Sequence, residues 1–122
     1  MTILSVDDSG MIRKVIRRIV ESMGHELLEA EDGEAALTVL REHGAKIRLV
    51  LLDWNMPKLD GYSVLTRMKG DPALKAIPVI MVTTEVDKTR IVQAVQAGAR
   101  NYVMKPFSQE DLMAKITDSL KI

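Results

Sequence analysis

The 122-residue sequence contains no cysteine, which excludes disulfides and metal sites built on thiolates. Its 17 basic and 17 acidic residues cancel, so it lacks the positive excess with which nucleic-acid-binding proteins neutralise phosphates. It also lacks any run of about 18 apolar residues, and no segment is predicted to span a membrane. The opening MTILSVDD is too short an apolar run for a secretory signal, so we expect a cytoplasmic protein.

Hydrophobic residues make up 47% of the chain and charged residues 28%, a balance typical of a globular protein with a packed core. A chain of this length forms one domain of ordinary size. We therefore predict that residues 1–122 fold as a single domain, without a separate output domain.

Short aliphatic runs alternate with amphipathic stretches along the chain. The runs predict strands at residues 2–6, 26–30, 49–53, 78–83 and 101–105. Four of them are almost continuously apolar, as in parallel strands covered on both faces, whereas the second is more polar and suits a sheet edge. Five strand–helix units predict an α/β fold, a doubly wound five-stranded parallel sheet with helices on both faces. The first helix is predicted to bury one apolar face, made of Ile12, Val15, Ile16, Ile19, Val20 and Met23.

Polar residues stand at the ends of four predicted strands. Asp7 and Asp8 follow the first strand, and Asp53 ends the third. Thr83 ends the fourth strand, and Lys105 ends the fifth. Because the carboxyl ends of parallel strands meet at one edge of a sheet, these side chains are expected to converge there.

Three carboxylates at one edge repel one another unless positive charge lies among them. Oxygen ligands favour a hard cation, and few protein ligands with room for water and phosphate favour Mg²⁺. Lys105 supplies a second positive charge. The group therefore suits phosphoryl transfer, with Asp53 as a carboxylate nucleophile.

The segments VDDS, LLDWNMPKLDG, VTTE and YVMKPF resemble those of response-regulator receiver domains, most closely the stand-alone chemotaxis (CheY-like) branch. Asp53 precedes Thr83 by 30 residues and Lys105 by 52, the spacing of that branch. The resemblance covers the whole chain. It implies a flavodoxin-like (βα)5 fold with strand order 2-1-3-4-5.

The resemblance also implies roles for the residues of the site. Asp53 would take a phosphoryl group from the phosphohistidine of a histidine kinase. Mg²⁺ would be held by Asp7, Asp8 and Asp53, together with the main-chain carbonyl of Asn55. Lys105 would contact the phosphoryl group, and the peptide bond to the following proline would be cis.

Further residues would read out and remove the phosphoryl group. Thr83 would hydrogen-bond to it, and Tyr102 would swing inward behind Thr83. Asn55 and Glu85 would tune its loss to water. Thr84 departs from the family, which usually has alanine or glycine there, and its branched side chain could narrow the path of the attacking water.

By resemblance, the protein is a phosphorylation-dependent switch of a two-component system, not an enzyme beyond its own phosphorylation and dephosphorylation. Its phosphorylated form would bind a protein target, with a flagellar motor switch as the first candidate, and a phosphatase is a further candidate partner. The target would meet helix four, strand five and helix five, with the candidate contacts Lys88, Arg90, Tyr102 and Lys115.

Other interpretations remain open from sequence alone. A phosphorelay intermediate or phosphate sink has the same residues. An aspartyl-phosphate phosphohydrolase of the haloacid-dehalogenase type needs an acid two residues after its nucleophile, where this chain has Asn55. A flavodoxin-like cofactor carrier needs a phosphate loop rich in small polar residues after the first strand, where this chain has the acidic DDSGM.

Two other features have alternative explanations. Trp54, the single tryptophan, could cover the site or pack in the core, and we expect it to do both. Basic residues of the first helix could form a docking patch or a solvated face; they are Arg13, Lys14, Arg17 and Arg18.

Overall fold

Five parallel strands form one sheet in the computed structural model, which describes residues 1–84 and 87–120. The strands are β1 (Thr2–Val6), β2 (Glu26–Ala30), β3 (Ile47–Leu52), β4 (Val79–Thr83) and β5 (Asn101–Met104). Their order is β2-β1-β3-β4-β5, which confirms the predicted fold and leaves the more polar β2 at an edge. β3 begins earlier than predicted and ends at Leu52, so Asp53 follows the strand rather than ending it.

Within these described residues, five helices connect and follow the strands. They are α1 (Gly10–Ser22), α2 (Gly33–His43), α3 (Gly61–Lys69), α4 (Lys88–Gln96) and α5 (Gln109–Leu120). Each begins after a residue whose side-chain oxygen accepts a hydrogen bond from a backbone N–H of the first turn, and these residues are Ser9, Asp32, Asp60, Asp87 and Ser108. Such a cap stabilises a helix by about 1 kcal/mol, so the local sequence determines where each helix begins.

The sheet separates two hydrophobic layers, because successive strand residues point to opposite faces. Ile3 packs with residues of α1 and α5, whereas the next residue, Leu4, packs with residues of α2, α3 and α4. The prediction for α1 was wrong at Val15, whose side chain is 40% exposed. Within the described ranges, no helix combines the length and apolar character required to cross a bilayer.

Candidate functional site

The predicted site residues meet at the carboxyl edge of the sheet. Asp7 follows β1, Asp53 follows β3, Thr83 is the last residue of β4, and Lys105 follows β5. Backbone hydrogen bonds continue past the strand ends: the Asp53 N–H donates to the carbonyl of Val6 (3.0 Å), and the Lys105 N–H donates to the carbonyl of Thr83 (3.0 Å). The sheet itself therefore fixes the backbone from which each side chain extends.

Lys105 joins two buried carboxylates. Its Nζ lies 2.6 Å from Asp7 Oδ2 and 3.3 Å from Asp53 Oδ2. Burial by itself lowers the pKa of the Lys105 ammonium, but the hydrogen bond to Asp7 and the charges of Asp53 and Asp7 outweigh burial and raise it above the ordinary value. The ammonium therefore stays charged at neutral pH and offsets the negative charge of the acids.

Asp8 supplies a third carboxylate beside Asp7 and Asp53. Asp7, Asp8 and Asp53 each offer an oxygen, and these oxygens lie within 4.8 Å of one another. Asp7 and Asp53 are buried, while Asp8 is exposed, so a cation could reach the cluster from solvent. The Ser9 N–H donates to Asp7 Oδ1 (2.9 Å) and orients that carboxylate. A hard-oxygen donor set of this kind fits a divalent cation such as Mg²⁺.

The start of α3 presses against the backbone of Asp53. A Cβ added to Gly61 would lie 2.0 Å from the Asp53 carbonyl oxygen, a distance that no side chain permits. The Gly61 N–H also donates to the carbonyl of Trp54 (2.8 Å). The glycine of the DG motif is therefore required for close approach, and it anchors the loop that carries Asp53.

The residues predicted to respond to the phosphoryl group or to tune its removal differ in burial. Thr83 is fully buried, Tyr102 is half-buried against the core layer on the α4 side, and Thr84 is exposed. Asn55 is exposed on the loop after Asp53. Glu85 lies outside the described residues. The roles of all five residues remain predictions.

The predicted target contacts lie on α4, β5 and α5. Lys88 and Arg90 are exposed in the first turn of α4. Lys115 is half-buried on α5 and forms an ion pair with Asp111 (3.1 Å). The Arg90 guanidinium also lies over the indole of Trp54, so the Arg90 side chain has a partner within the domain besides any target.

Trp54 packs in the core beside the site. Its side chain is only 4% exposed, and its ring stacks on Tyr62 with 5.3 Å between centroids. The indole is therefore a packed core element next to Asp53.

Sequence reasoning missed the part that Arg13 plays at the site. Its guanidinium donates to the backbone carbonyl of Asp7 (2.5 Å) and to Glu29 of β2 (3.0 Å), and Arg17 also pairs with Glu29. These two cations of α1 are thus paired rather than part of a free basic patch. The available signal was Arg13 one turn after the Ser9 cap, a position above the end of β1.

Comparison with known proteins gives a family that fits this geometry. The family model described as response regulator receiver domain matches residues 3–117. The chain belongs to that family. Receiver domains are phosphorylation-dependent signalling switches of two-component systems, and this is the function of the chain.

Individual relatives support the assignment over almost the whole domain. Chemotaxis protein CheY1 of Helicobacter pylori is 38% identical over 117 residues, which cover 95% of this chain and 94% of the relative. The structure of chemotaxis protein CheY4 of Vibrio cholerae matches with a TM-score of 0.89 at 28% identity and covers 98% of each chain. The Mn²⁺-bound form of response regulator Rcp1 matches this receiver domain with a TM-score of 0.82 at 31% identity, covering 96% of this chain and 89% of the other.

Proposed function

We propose that this receiver domain carries its signal as a phosphoryl group on Asp53, taken from the phosphohistidine of a histidine kinase. The observation that carries the proposal is the shared lysine: Lys105 lies within hydrogen-bond reach of both Asp7 and Asp53. A nucleophilic carboxylate beside a metal-binding carboxylate and a fixed ammonium is the arrangement that phosphoryl transfer needs.

Mg²⁺ is the cofactor that we assign to the site, with Asp7, Asp8, Asp53 and the main-chain carbonyl of Asn55 as its ligands. Support comes from the three converging carboxylate oxygens and from a receiver relative whose structure is a Mn²⁺-bound form. When bound, the cation would supply positive charge against the negative charge that develops on the phosphoryl oxygens.

The chain's own residues then perform the transfer. A carboxylate oxygen of Asp53 attacks phosphorus, the nitrogen–phosphorus bond of the donor breaks, and its electron pair stays on the imidazole nitrogen. Lys105 turns part of its hydrogen bonding from the carboxylates to a phosphoryl oxygen, while the Thr83 hydroxyl donates to another. Asn55 and Glu85 orient the water that later hydrolyses the acyl phosphate, and Thr84 borders its path.

The output is a changed affinity for a protein target. Movement of Thr83 toward the phosphoryl group, with Tyr102 following, would alter the surface formed by α4, β5 and α5, where Lys88, Arg90 and Lys115 lie. The relatives named as chemotaxis proteins favour a chemotaxis pathway in the cytoplasm, with a flagellar motor switch as the target and a phosphatase as a second partner. A phosphorelay or phosphate-sink role uses the same chemistry without that target.

Replacement of the acceptor tests the proposal. Asp53→Asn is expected to abolish acid-labile phosphate incorporation from acetyl phosphate or a phosphorylated histidine kinase in Mg²⁺, because an amide is a poor nucleophile. Asp118→Asn, an exposed aspartate of α5, is the matched control and should incorporate phosphate like the parent. Undiminished labelling of the Asp53 variant would assign the nucleophile to another residue.

A further inference from the structure

The indole next to the acceptor aspartate contacts side chains from two helices. Tyr62 of α3 stacks on Trp54 with 5.3 Å between ring centroids and 20° between ring planes. The guanidinium carbon of Arg90, on α4, lies 5.4 Å from the centroid of the same indole. A guanidinium at this distance over an indole face makes a cation–π interaction, for which tryptophan is the best partner.

Trp54 is a fixed platform for this contact. Its side chain is 4% exposed and belongs to the core layer on the α4 side of the sheet. Its backbone carbonyl accepts a hydrogen bond from the Gly61 N–H (2.8 Å). The stacked Tyr62 ring prevents the indole from moving toward α3. Arg90 therefore contacts a group that cannot easily follow it if α4 moves.

The first turn of α4 carries charge of the unfavourable sign. It contains Lys88 and Arg90 and no acidic residue, although the N-terminus of a helix is the positive end of its dipole. The Asp87 cap accepts a hydrogen bond from the Thr89 N–H (2.8 Å) and offsets part of this repulsion. The π face of Trp54 offers Arg90 a further compensation.

The same turn is closely tethered to the proposed switch residue. Only three residues separate Thr83, at the end of β4, from the Asp87 cap of α4. The four peptide units between Thr83 and Asp87 span about 14 Å at most, so a displacement of Thr83 toward the acceptor is transmitted to the start of α4.

We propose that Arg90 is a positioning residue, which holds the first turn of α4 against Trp54 in the unphosphorylated chain and so opposes the switch. This inference rests on the proposed phosphorylation of Asp53 and the movement of Thr83. The contact between Arg90 and Trp54 favours the unphosphorylated conformation, which is less ready for phosphorylation. Loss of the contact favours the switched conformation and speeds phosphorylation.

The test measures the initial rate of phosphate incorporation from acetyl phosphate in Mg²⁺. A small donor docks on no protein surface, so changes in kinase or target binding do not contribute. Arg90→Met, which retains the aliphatic stem without the charge, is expected to raise the rate about two- to fivefold. Arg90→Lys, which keeps a cation, should fall between Arg90→Met and the parent. Arg67→Met, which removes an exposed guanidinium from α3, is the matched control and should leave the rate unchanged.

A spectroscopic readout separates this role from a general effect on folding. Because Trp54 is the single tryptophan, its emission should change in Arg90→Met and not in Arg67→Met. In a Trp54→Leu background, Arg90→Met should no longer alter the rate, because the platform is absent.

The outcomes separate the two proposals. A parent that takes up no phosphate under any donor refutes the proposed function. A parent that is phosphorylated, with Arg90→Met indistinguishable from Arg67→Met, refutes only the positioning role. An Arg90→Met effect that persists without Trp54, or that Arg90→Lys shows in full, likewise overturns the cation–π contact as its cause.

Discussion

Removal of the Lys105 charge should destabilise the metal-free protein by a calculable amount. In Lys105→Met the stem remains, but Asp7 and Asp53 lose the ammonium that lies 2.6 and 3.3 Å from their oxygens. Oxygens of the two carboxylates lie within 4.8 Å of each other. At that separation two unit charges repel by about 3.5 kcal/mol at an effective dielectric constant of about 20. Both acids are buried, so solvent screens little of this repulsion.

We therefore expect the free energy of unfolding of Lys105→Met to fall by about 3 kcal/mol in a metal chelator at neutral pH, as measured by urea denaturation. Addition of Mg²⁺ should restore part of the loss, because a bound cation replaces the missing positive charge.

The ion pair of Lys115 with Asp111, on the surface of α5, provides the control. Lys115→Met should lower the free energy of unfolding by no more than about 0.5 kcal/mol, with no dependence on Mg²⁺. A loss below about 1 kcal/mol for Lys105→Met in chelator, or a loss that Mg²⁺ leaves unchanged, would refute this account of the electrostatics of the site.

Three further predictions concern the metal, the loop after β3 and the water path. Trp54 emission should respond to Mg²⁺ in the millimolar-to-submillimolar range, and Asp8→Ala should weaken that response about tenfold or more; equal affinity would reject the metal site. Gly61→Ala should lower the free energy of unfolding by about 3 kcal/mol or more, because its Cβ would lie 2.0 Å from a backbone carbonyl oxygen. Gly70→Ala is the control and should have a mild effect, because the nearest atom there is 3.5 Å away. Equal effects of the two substitutions would contradict the close approach at Gly61. Thr84→Ala should shorten the lifetime of the phosphorylated form severalfold after donor removal, since about 1.4 kcal/mol of barrier is tenfold in rate; an unchanged lifetime would show that the threonine is away from the water.

The sequence was sufficient to predict which strand ends converge. Asp7, Asp53, Thr83 and Lys105 each follow or end an apolar run, and in a parallel sheet such positions necessarily share one edge. Their convergence therefore depends on backbone topology, which periodicity encodes directly. The strand order itself came from the family resemblance, since alternation of strands and helices permits several orders.

Helix faces were less predictable at their margins. Val15 belongs to the apolar periodicity of α1 but lies about 70° from the middle of the stripe at 100° per residue, so it falls at the edge of the buried face. There the exposed fraction depends on the tilt of the helix over the sheet, which periodicity does not encode. Val15 is 40% exposed, whereas Ile16, the next residue, is 1% exposed.

Long polar side chains were the least predictable part of the site. An arginine has a long, flexible stem, so the partner of its guanidinium depends on which helix or strand packs alongside. Arg13 crosses from α1 to the Asp7 carbonyl, and Arg90 crosses from α4 to the indole of Trp54. Both link a helix to the backbone or ring beside a proposed active carboxylate. The sequence thus predicts the reacting groups, whereas the contacts that connect them to the helices emerge only from tertiary packing.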